Sequence, residues 1–359
     1  MSTAAVAETF THQAIVPGYL LARLAGSSQF TRAAEAARQT LIKGRPEFRA
    51  ALELSVDQNG DLIADVQAAP TRTVYDTHNT EQLPGTKVRG EDDPAVADAA
   101  ANQAFDGLGD TFRMLLEAFQ RDSLDGKGAA LNATVHYGEK YDNAFWNGSQ
   151  MVFGDGDGEV FAGFTGSVTV IGHELGHGVI QTTAALEYQG QSGALNESCA
   201  DVFGTLTEQF TLGQTADQAS WLIGDGIFTD AVQGRALRDM MHPGTAYDDD
   251  ELGKDPQPAD MAHYVTTSED NGGVHINSGI PNRAFALAAT DIGGHAWEGA
   301  GLVWYRTLTG GLPATAGFAE FAERTISAAT EIGDSVEAAV RKAWIAVGVI
   351  EDAAVRTPR

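Results

Sequence analysis

His173-Glu174-Leu175-Gly176-His177 sits inside an apolar run over residues 168–180, and it constrains the chain more than any other stretch. Read as a helix, it puts His173 and His177 one turn apart on a single face, because residues i and i+4 are neighbours there. Two imidazoles so placed can grip one Zn²⁺, with Glu174 beside them as the general base of a metal-assisted hydrolysis. A five-residue pattern also recurs by accident, so a third ligand has to be found elsewhere.

A catalytic zinc takes three protein ligands and keeps one position open. Asn196-Glu197-Ser198-Cys199-Ala200-Asp201 lies in a second helical run over residues 193–210, which Ala194, Leu195, Val202, Phe203 and Leu206 mark as buried. An acid pair in such surroundings is costly unless employed. Glu197 and Asp201 stand at i and i+4, on one face. Glu197 is the expected third ligand, and Asp201 the carboxylate that holds the spare N–H of a ligand imidazole. A solvated acidic edge is the plainer reading, but it leaves the apolar neighbours unexplained.

The 359 residues are 43% hydrophobic and 20% charged, a soluble globular composition, and the length suits two domains. A net charge of −26 repels nucleic acid and anionic membrane surfaces, so neither is an expected partner. Cys199 is the single cysteine, which excludes an intramolecular disulfide; inside the second helical run it reads as a small buried filler. Residues 1–18 lack the basic region and apolar core of a secretory signal, and no apolar run approaches the ~20 residues of a membrane helix. The expectation is a protein that is cytoplasmic on synthesis, with a non-classical export route left open.

In chain order, Pro17-Gly18 marks a turn before a helical stretch with Leu20, Leu21 and Leu24, and residues 33–42 form a second helix. Residues 51–68 alternate as two strands about Asn59-Gly60. Asp57, Asn59 and Asp61 do not make a calcium loop, because Leu62 stands where glycine is needed and no glutamate closes it. Residues 83–94 read as loop, 95–120 as a helix interrupted at Gly107 and Gly109, and 134–137, 150–153 and 159–161 as short strands. Asp155-Gly156-Asp157-Gly158 is a tight turn. Residues 233–270 are loop-rich, and helices return at 278–290 and dominate from 314, with Phe318, Phe321, Ile326, Val336, Val340 and Trp344 as core candidates.

Taken together, the histidine helix, Asn196-Glu197 and Asp201 resemble the thermolysin-type neutral zinc metallopeptidases. Asn143-Ala144-Phe145-Trp146-Asn147-Gly148 is similar to that family's substrate-binding edge strand. Tyr188 and the stretch Asp270-Asn271-Gly272-Gly273-Val274-His275-Ile276-Asn277-Ser278-Gly279 match two further motifs, in the same order. The likeness runs from about residue 73 to the C-terminus. It implies an α+β fold of two domains, β-rich over residues 69–172 and α-helical over 173–359, with the zinc helix at the seam. Residues 1–68 would be a short propeptide and connecting segment, ending between 45 and 70.

The resemblance also implies roles. Zn²⁺ would be held by His173, His177 and Glu197, with Glu174 as base and Tyr188 and His275 as donors to the developing oxyanion. Asp201 would orient His173, and Asp270 would orient His275. Asn143 and the Ala144 carbonyl would pin a peptide or protein substrate as an added strand, and Arg238 would bind a substrate carbonyl beyond the cleaved bond. Phe161, Phe164, Val170 and Leu237 would line the pocket for the residue after that bond. All four are apolar, which implies cleavage on the amino side of residues such as Leu, Phe or Ile.

Two departures matter. Secreted members hold a double calcium site, but here Thr169 replaces a bridging aspartate and Leu222 a glutamate. No double site is expected, while Glu208 and Asp225 leave room for one weak ion. The segment Ala14-Ile15-Val16-Pro17-Gly18-Tyr19-Leu20-Leu21 resembles the brief propeptide of protealysin-like members, with Gly18 where a second proline is usual. It is expected to block the cleft in a self-processing precursor. A zinc aminopeptidase would need a grip for a free amine, and none is evident. A catalytically silent scaffold usually lacks the base or a ligand, whereas Glu174 and all three candidate ligands are present.

Overall fold

The computed structural model describes residues 13–43 and 68–352. The expected hairpin about Asn59-Gly60, and the propeptide boundary, lie outside the described residues. The chain opens with α1 (Gly18–Leu24) and α2 (Thr31–Lys43). Pro17 has φ −63° and its carbonyl accepts the N–H groups of Leu20 and Leu21, so it starts α1 where a proline costs no hydrogen bond. Helix α1 buries Leu20, Leu21 and Leu24, and α2 buries Ala33, Ala34, Ala36 and Ala37.

A five-stranded sheet follows, built from β1 (Arg72–Asp76), β2 (Thr86–Gly90), β3 (Leu131–Val135), β4 (Ala144–Trp146) and β5 (Met151–Phe153). Its spatial order is β2-β1-β3-β5-β4, with β1, β3 and β5 parallel and the two outer strands antiparallel to their neighbours. The long helix α3 (Ala99–Phe119) makes the crossover from the β1–β2 pair to β3. This topology leaves β4 at a sheet edge, able to accept one more strand.

Three expectations are corrected here. Residues 83–94 are not all loop, because Thr86–Gly90 pairs with β1. Its Lys87 and Arg89 hide it from a periodicity test, as charged edge strands do. The helix over 99–119 runs unbroken through Gly107 and Gly109. A Cβ at these positions would strike the Ile171 side chain and the Arg72 guanidinium, so the glycines admit close neighbours rather than ending the helix. Residues 159–161 form no strand; Phe161 makes an isolated bridge to Phe228, while the Asp157 carboxylate accepts the N–H groups of Glu159 and Val160 in the expected turn.

The centre of the molecule is a helix pair, α4 (Val168–Gln181) and α5 (Gly190–Leu212). A Cβ on Gly204 would come within 2.5 Å of the Thr169 carbonyl oxygen, and one on Gly176 within 3.0 Å of the Ala200 Cα. Only glycine allows the two backbones to lie so close. Cys199 is buried in this seam, and burial alone holds its thiol well above the usual range, as befits a filler.

Beyond α5, β6 (Leu222–Ile223) pairs with β7 (Arg238–Asp239), and β8 (Asp248–Asp249) with β9 (Gly253–Lys254), so the expected loop region over 233–270 holds three short strands. The helices α6 (Asp270–Asn277), α7 (Gly279–Ile292), α8 (Ala300–Thr309), α9 (Phe318–Thr330) and α10 (Asp334–Ala346) complete the fold. Trp304 and Trp344 stack with ring centroids 5.8 Å apart, and Phe321 meets both edge-on. All six expected core residues of this half are buried, each contributing ~1.5–3 kcal/mol of apolar transfer if fully buried. No described helix is long and apolar enough to cross a membrane.

Candidate functional site

His173 and His177 project from α4, and Glu197 from α5, into one fully buried point. The two Nε2 atoms are 3.1 Å apart, and the Glu197 carboxylate lies 3.5 Å from each. The tautomers can be worked out from the far sides of the rings. His173 Nδ1 is 2.7 Å from Asp201 Oδ1. Burial alone would neutralise Asp201, but the Arg238 and His173 contacts outweigh it and hold the carboxyl well below its usual range. An ionised carboxylate only accepts, so the ring proton is on Nδ1. His177 Nδ1 is 2.8 Å from Asn196 Oδ1, and Asn196 Nδ2 is committed to the Leu186 carbonyl, so here too Nδ1 donates.

Both Nε2 atoms therefore present lone pairs to each other beside a carboxylate whose Oε2 is buried without a hydrogen-bond partner. Burial presses His173 down to about 4, against the pull of Asp201, so that ring does not relieve the clash by charging. Such an arrangement calls for a cation. Two nitrogens on a tetrahedral zinc at ~2.0–2.1 Å would stand about 3.3 Å apart, close to the observed separation. The donor set fits Zn²⁺.

Asp201 is shared. Besides His173 it takes Arg238 Nε and Nη2 at 2.8 Å each, and Asn282 Nδ2 at 2.8 Å. Glu174 is fully buried, and its Oε2 accepts the Trp146 N–H at 2.7 Å, which ties the carboxylate to edge strand β4. The Tyr188 hydroxyl donates to Glu197 Oε1 and is 3.3 Å from His275 Nε2. His275 sits in α6 behind a left-handed run, Asp270 to Gly273, that folds the Asp270 carboxylate back onto His275 N at 2.9 Å and onto Nδ1 at 2.6 Å. Burial opposes charge on His275, but Glu197 and Asp270 outweigh it and raise the imidazole to about 9.

The N-terminal segment runs through this site. Ala14 bridges Phe145 in antiparallel sense, so residues 14–16 lie along the open edge at β4. The Ile15 N–H donates to the Ala144 carbonyl at 3.2 Å, and the Ile15 carbonyl accepts from Arg238 Nη1 at 3.1 Å. Asn143 receives the Val16 N–H on Oδ1 and donates from Nδ2 to the Val16 carbonyl, both at 3.0 Å. The Ala14 carbonyl is 3.0 Å from His275 Nε2.

Every residue named from the sequence for ligation, proton transfer, oxyanion contact or backbone pinning thus meets at one place. Phe161, Phe164, Val170 and Leu237 are buried in the same apolar cluster as Ile15 and Val16, with the Phe161 and Phe164 rings 5.7 Å apart. Two supporting residues escaped the sequence reading. Asn196 fixes the His177 tautomer, and its place beside Glu197 was the available signal. Asn282 lies 81 positions from the Asp201 it binds, and nothing local marks it.

The comparisons with known proteins agree with this geometry. A family model described as the thermolysin metallopeptidase catalytic domain matches residues 44–181, and one for the alpha-helical domain of the same peptidase matches residues 184–349. An extracellular metalloprotease of Pectobacterium carotovorum subsp. carotovorum is 53% identical over 280 residues, 77% of this chain and 81% of that protein. Protease PrtS of a Photorhabdus species is 49% identical, over 82% of this chain and 80% of its own. The solved precursor of protealysin, a metalloproteinase from Serratia proteamaculans, superposes with a TM-score of 0.85 at 48% identity, covering 94% of this chain and 100% of that one. These relatives correct the expectation of a cytoplasmic location, since the Pectobacterium protein bears the name extracellular. The reading of residues 1–18 rested on a missing signal pattern, and a missing pattern does not fix where a protein works.

Proposed function

This chain belongs to the thermolysin metallopeptidase family, and we propose that His173, His177 and Glu197 hold its zinc while Glu174 serves as the base in peptide-bond hydrolysis. It is a metalloendopeptidase made as a precursor. The observation that carries the assignment of residues is the pair of facing Nε2 lone pairs, 3.1 Å apart beside a buried carboxylate. Zn²⁺ bound there supplies a Lewis acid and makes a water acidic enough to attack at neutral pH.

The chain's own residues account for the rest. Glu174, fixed by the Trp146 N–H, takes a proton from the attacking water and delivers it to the leaving nitrogen. His275 donates from Nε2 to the carbonyl oxygen as negative charge grows there; Tyr188 stands beside it as the second donor. Losing one such donor typically costs ~3 kcal/mol in the barrier. Asp270 aims His275, Asp201 aims His173, and Asn143, the Ala144 carbonyl and Arg238 hold the substrate backbone as an added strand.

Phe161, Phe164, Val170 and Leu237 form the pocket for the residue after the cleaved bond, which makes hydrophobic residues the preferred ones. The catalytic halves divide at residues 172 and 173, with residues 1–68 as the propeptide and its connector. Calcium is not needed in pairs: the Thr169 hydroxyl takes the Gly224 N–H at 2.9 Å, fastening the loop directly where a bridging acid is replaced. Hydrolysis of a peptide library scanned at that position tests the proposal. Cuts should fall on the amino side of Leu, Phe and Ile; preference for a basic residue there would contradict it.

A further inference from the structure

Residues 14–16 do more than fill the cleft. A peptide can lie along an edge strand in either of two directions, and only one of them presents a carbonyl to the oxyanion donors and an N–H to the strand beyond it. Here the Ala14 carbonyl faces His275 Nε2 at 3.0 Å, and the next N–H, that of Ile15, goes to the Ala144 carbonyl at 3.2 Å. The following carbonyl reaches Arg238, and the residue after that is clasped on both sides by Asn143. Ile15 itself is wholly buried. Among the described residues, the peptide bond whose carbonyl is at His275 and whose nitrogen side enters the apolar cluster is Ala14–Ile15.

We propose that the Ala14–Ile15 bond is held as a substrate bond, is cut by this chain's own site, and leaves a clipped segment that still occupies the cleft. The inference rests on the proposed roles above. In the step, water adds its hydroxyl to the Ala14 carbonyl carbon, the C–N bond to Ile15 breaks, and Glu174 carries the water's proton to the Ile15 nitrogen. The products are an Ala14 carboxylate and an Ile15 amine.

Retention follows from where the anchors lie. Ile15 and Val16 keep their bonds to Ala144, Arg238 and Asn143, all on the Ile15 side of the cut. Helix α2 is capped by the catalytic part of the chain, because Glu159 Oε2 accepts the N–H groups of Arg32 at 2.9 Å and Ala33 at 3.0 Å. Arg23 Nε donates to the Glu251 carbonyl at 3.0 Å, and the Asp142 N–H donates to the Thr40 hydroxyl at 3.0 Å. None of these contacts involves residues before Ala14. Clipping and release are therefore separate events, and the clipped chain stays latent until the helices leave.

The test uses the full chain, zinc-replete, as wild type and as Glu174→Ala. N-terminal sequencing and intact mass should show wild type starting Ile15-Val16-Pro17-Gly18, having lost fourteen residues, while Glu174→Ala starts at its original end. In Glu174→Ala the Ile15 and Val16 amide protons should exchange slowly, and Val16 should lose protection when Asn143→Ala is added. Wild type that cleaves an added peptide but keeps the Ala14–Ile15 bond overturns the inference and leaves the proposed function standing. Fast exchange at Ile15 and Val16 in Glu174→Ala overturns it too. If the Ala14–Ile15 bond stays intact and the chain freed of its N-terminal segment cleaves no added peptide either, it is the function that has failed.

Discussion

Arg238 bonds both carboxylate oxygens of Asp201, Nε to Oδ2 and Nη2 to Oδ1 at 2.8 Å each, while the same Oδ1 holds His173 Nδ1 at 2.7 Å. One buried carboxylate therefore aims a metal ligand and the cation that meets the carbonyl beyond the cleaved bond. The arrangement explains why an acid is tolerated at a position with no exposure: two donors and Asn282 satisfy it completely.

Asp201→Ala should act on both partners. Arg238 would be left buried without its counter-charge, costing ~3–5 kcal/mol, and zinc affinity should fall ~10–100-fold as His173 loses its orienting bond. Urea unfolding and a metal-competition titration measure the two effects. A variant as stable as wild type would contradict the buried-pair reading.

Glu174→Ala should lower kcat/KM by at least ~10²–10⁴-fold with zinc content unchanged, because Glu174 is tied to the Trp146 N–H of the edge strand and is not among the three metal-site side chains. Metal analysis beside single-turnover peptide hydrolysis separates the two quantities.

Asn143→Ala removes two hydrogen bonds from the backbone that occupies the edge strand. At ~0.5–1.5 kcal/mol each, peptide KM should rise roughly 10-fold or more while kcat changes less. Steady-state kinetics on one hydrophobic peptide would show the split, and an unchanged KM would contradict it.

His136 gives a pH dependence away from the site. Its ring is held between Asp155, at 2.7 Å, and Asp98, at 2.8 Å. The Asp155 hydrogen bond chiefly, with Asp98 adding against burial, lifts it from 6.5 to about 9. A folded-state value above the unfolded one means the imidazolium stabilises fully below pH 6.5, and that contribution is lost as pH rises through about 9. The denaturation midpoint should fall over this window in wild type, and His136→Gln should lack that part of the fall.

The parts of the molecule legible in sequence are those whose signal is local. His173 and His177 at i and i+4 need only one helix, and Glu197 with Asp201 only a second. What brings the two helices together is Gly204 against Thr169, and nothing in the sequence distinguishes that glycine from a helix breaker. The same ambiguity misread Gly107, whose missing side chain makes room for Ile171. Thr86–Gly90 escaped because a charged edge strand has little apolar alternation to detect. The occupancy of the cleft by Ala14, Ile15 and Val16 was expected from family likeness alone; their register depends on bonds to residues more than 120 positions away.

Helix contact at Gly204 makes a fifth variant informative. Gly204→Ala should push α4 from α5, destabilising by ~1–3 kcal/mol through overpacking and weakening zinc by spreading its ligands. Thermal unfolding with and without added zinc would register both, and a silent substitution would contradict the close approach.

The most direct measurement is a zinc titration of chelator-stripped protein freed of its N-terminal segment, followed by hydrolysis of a peptide with leucine after the cleavable bond. Hydrolysis should be absent in the stripped protein and rise to a plateau at one equivalent of Zn²⁺, with no recovery when His173, His177 or Glu197 is replaced by alanine. Hydrolysis that persists without metal, or that returns in those variants, would contradict the account.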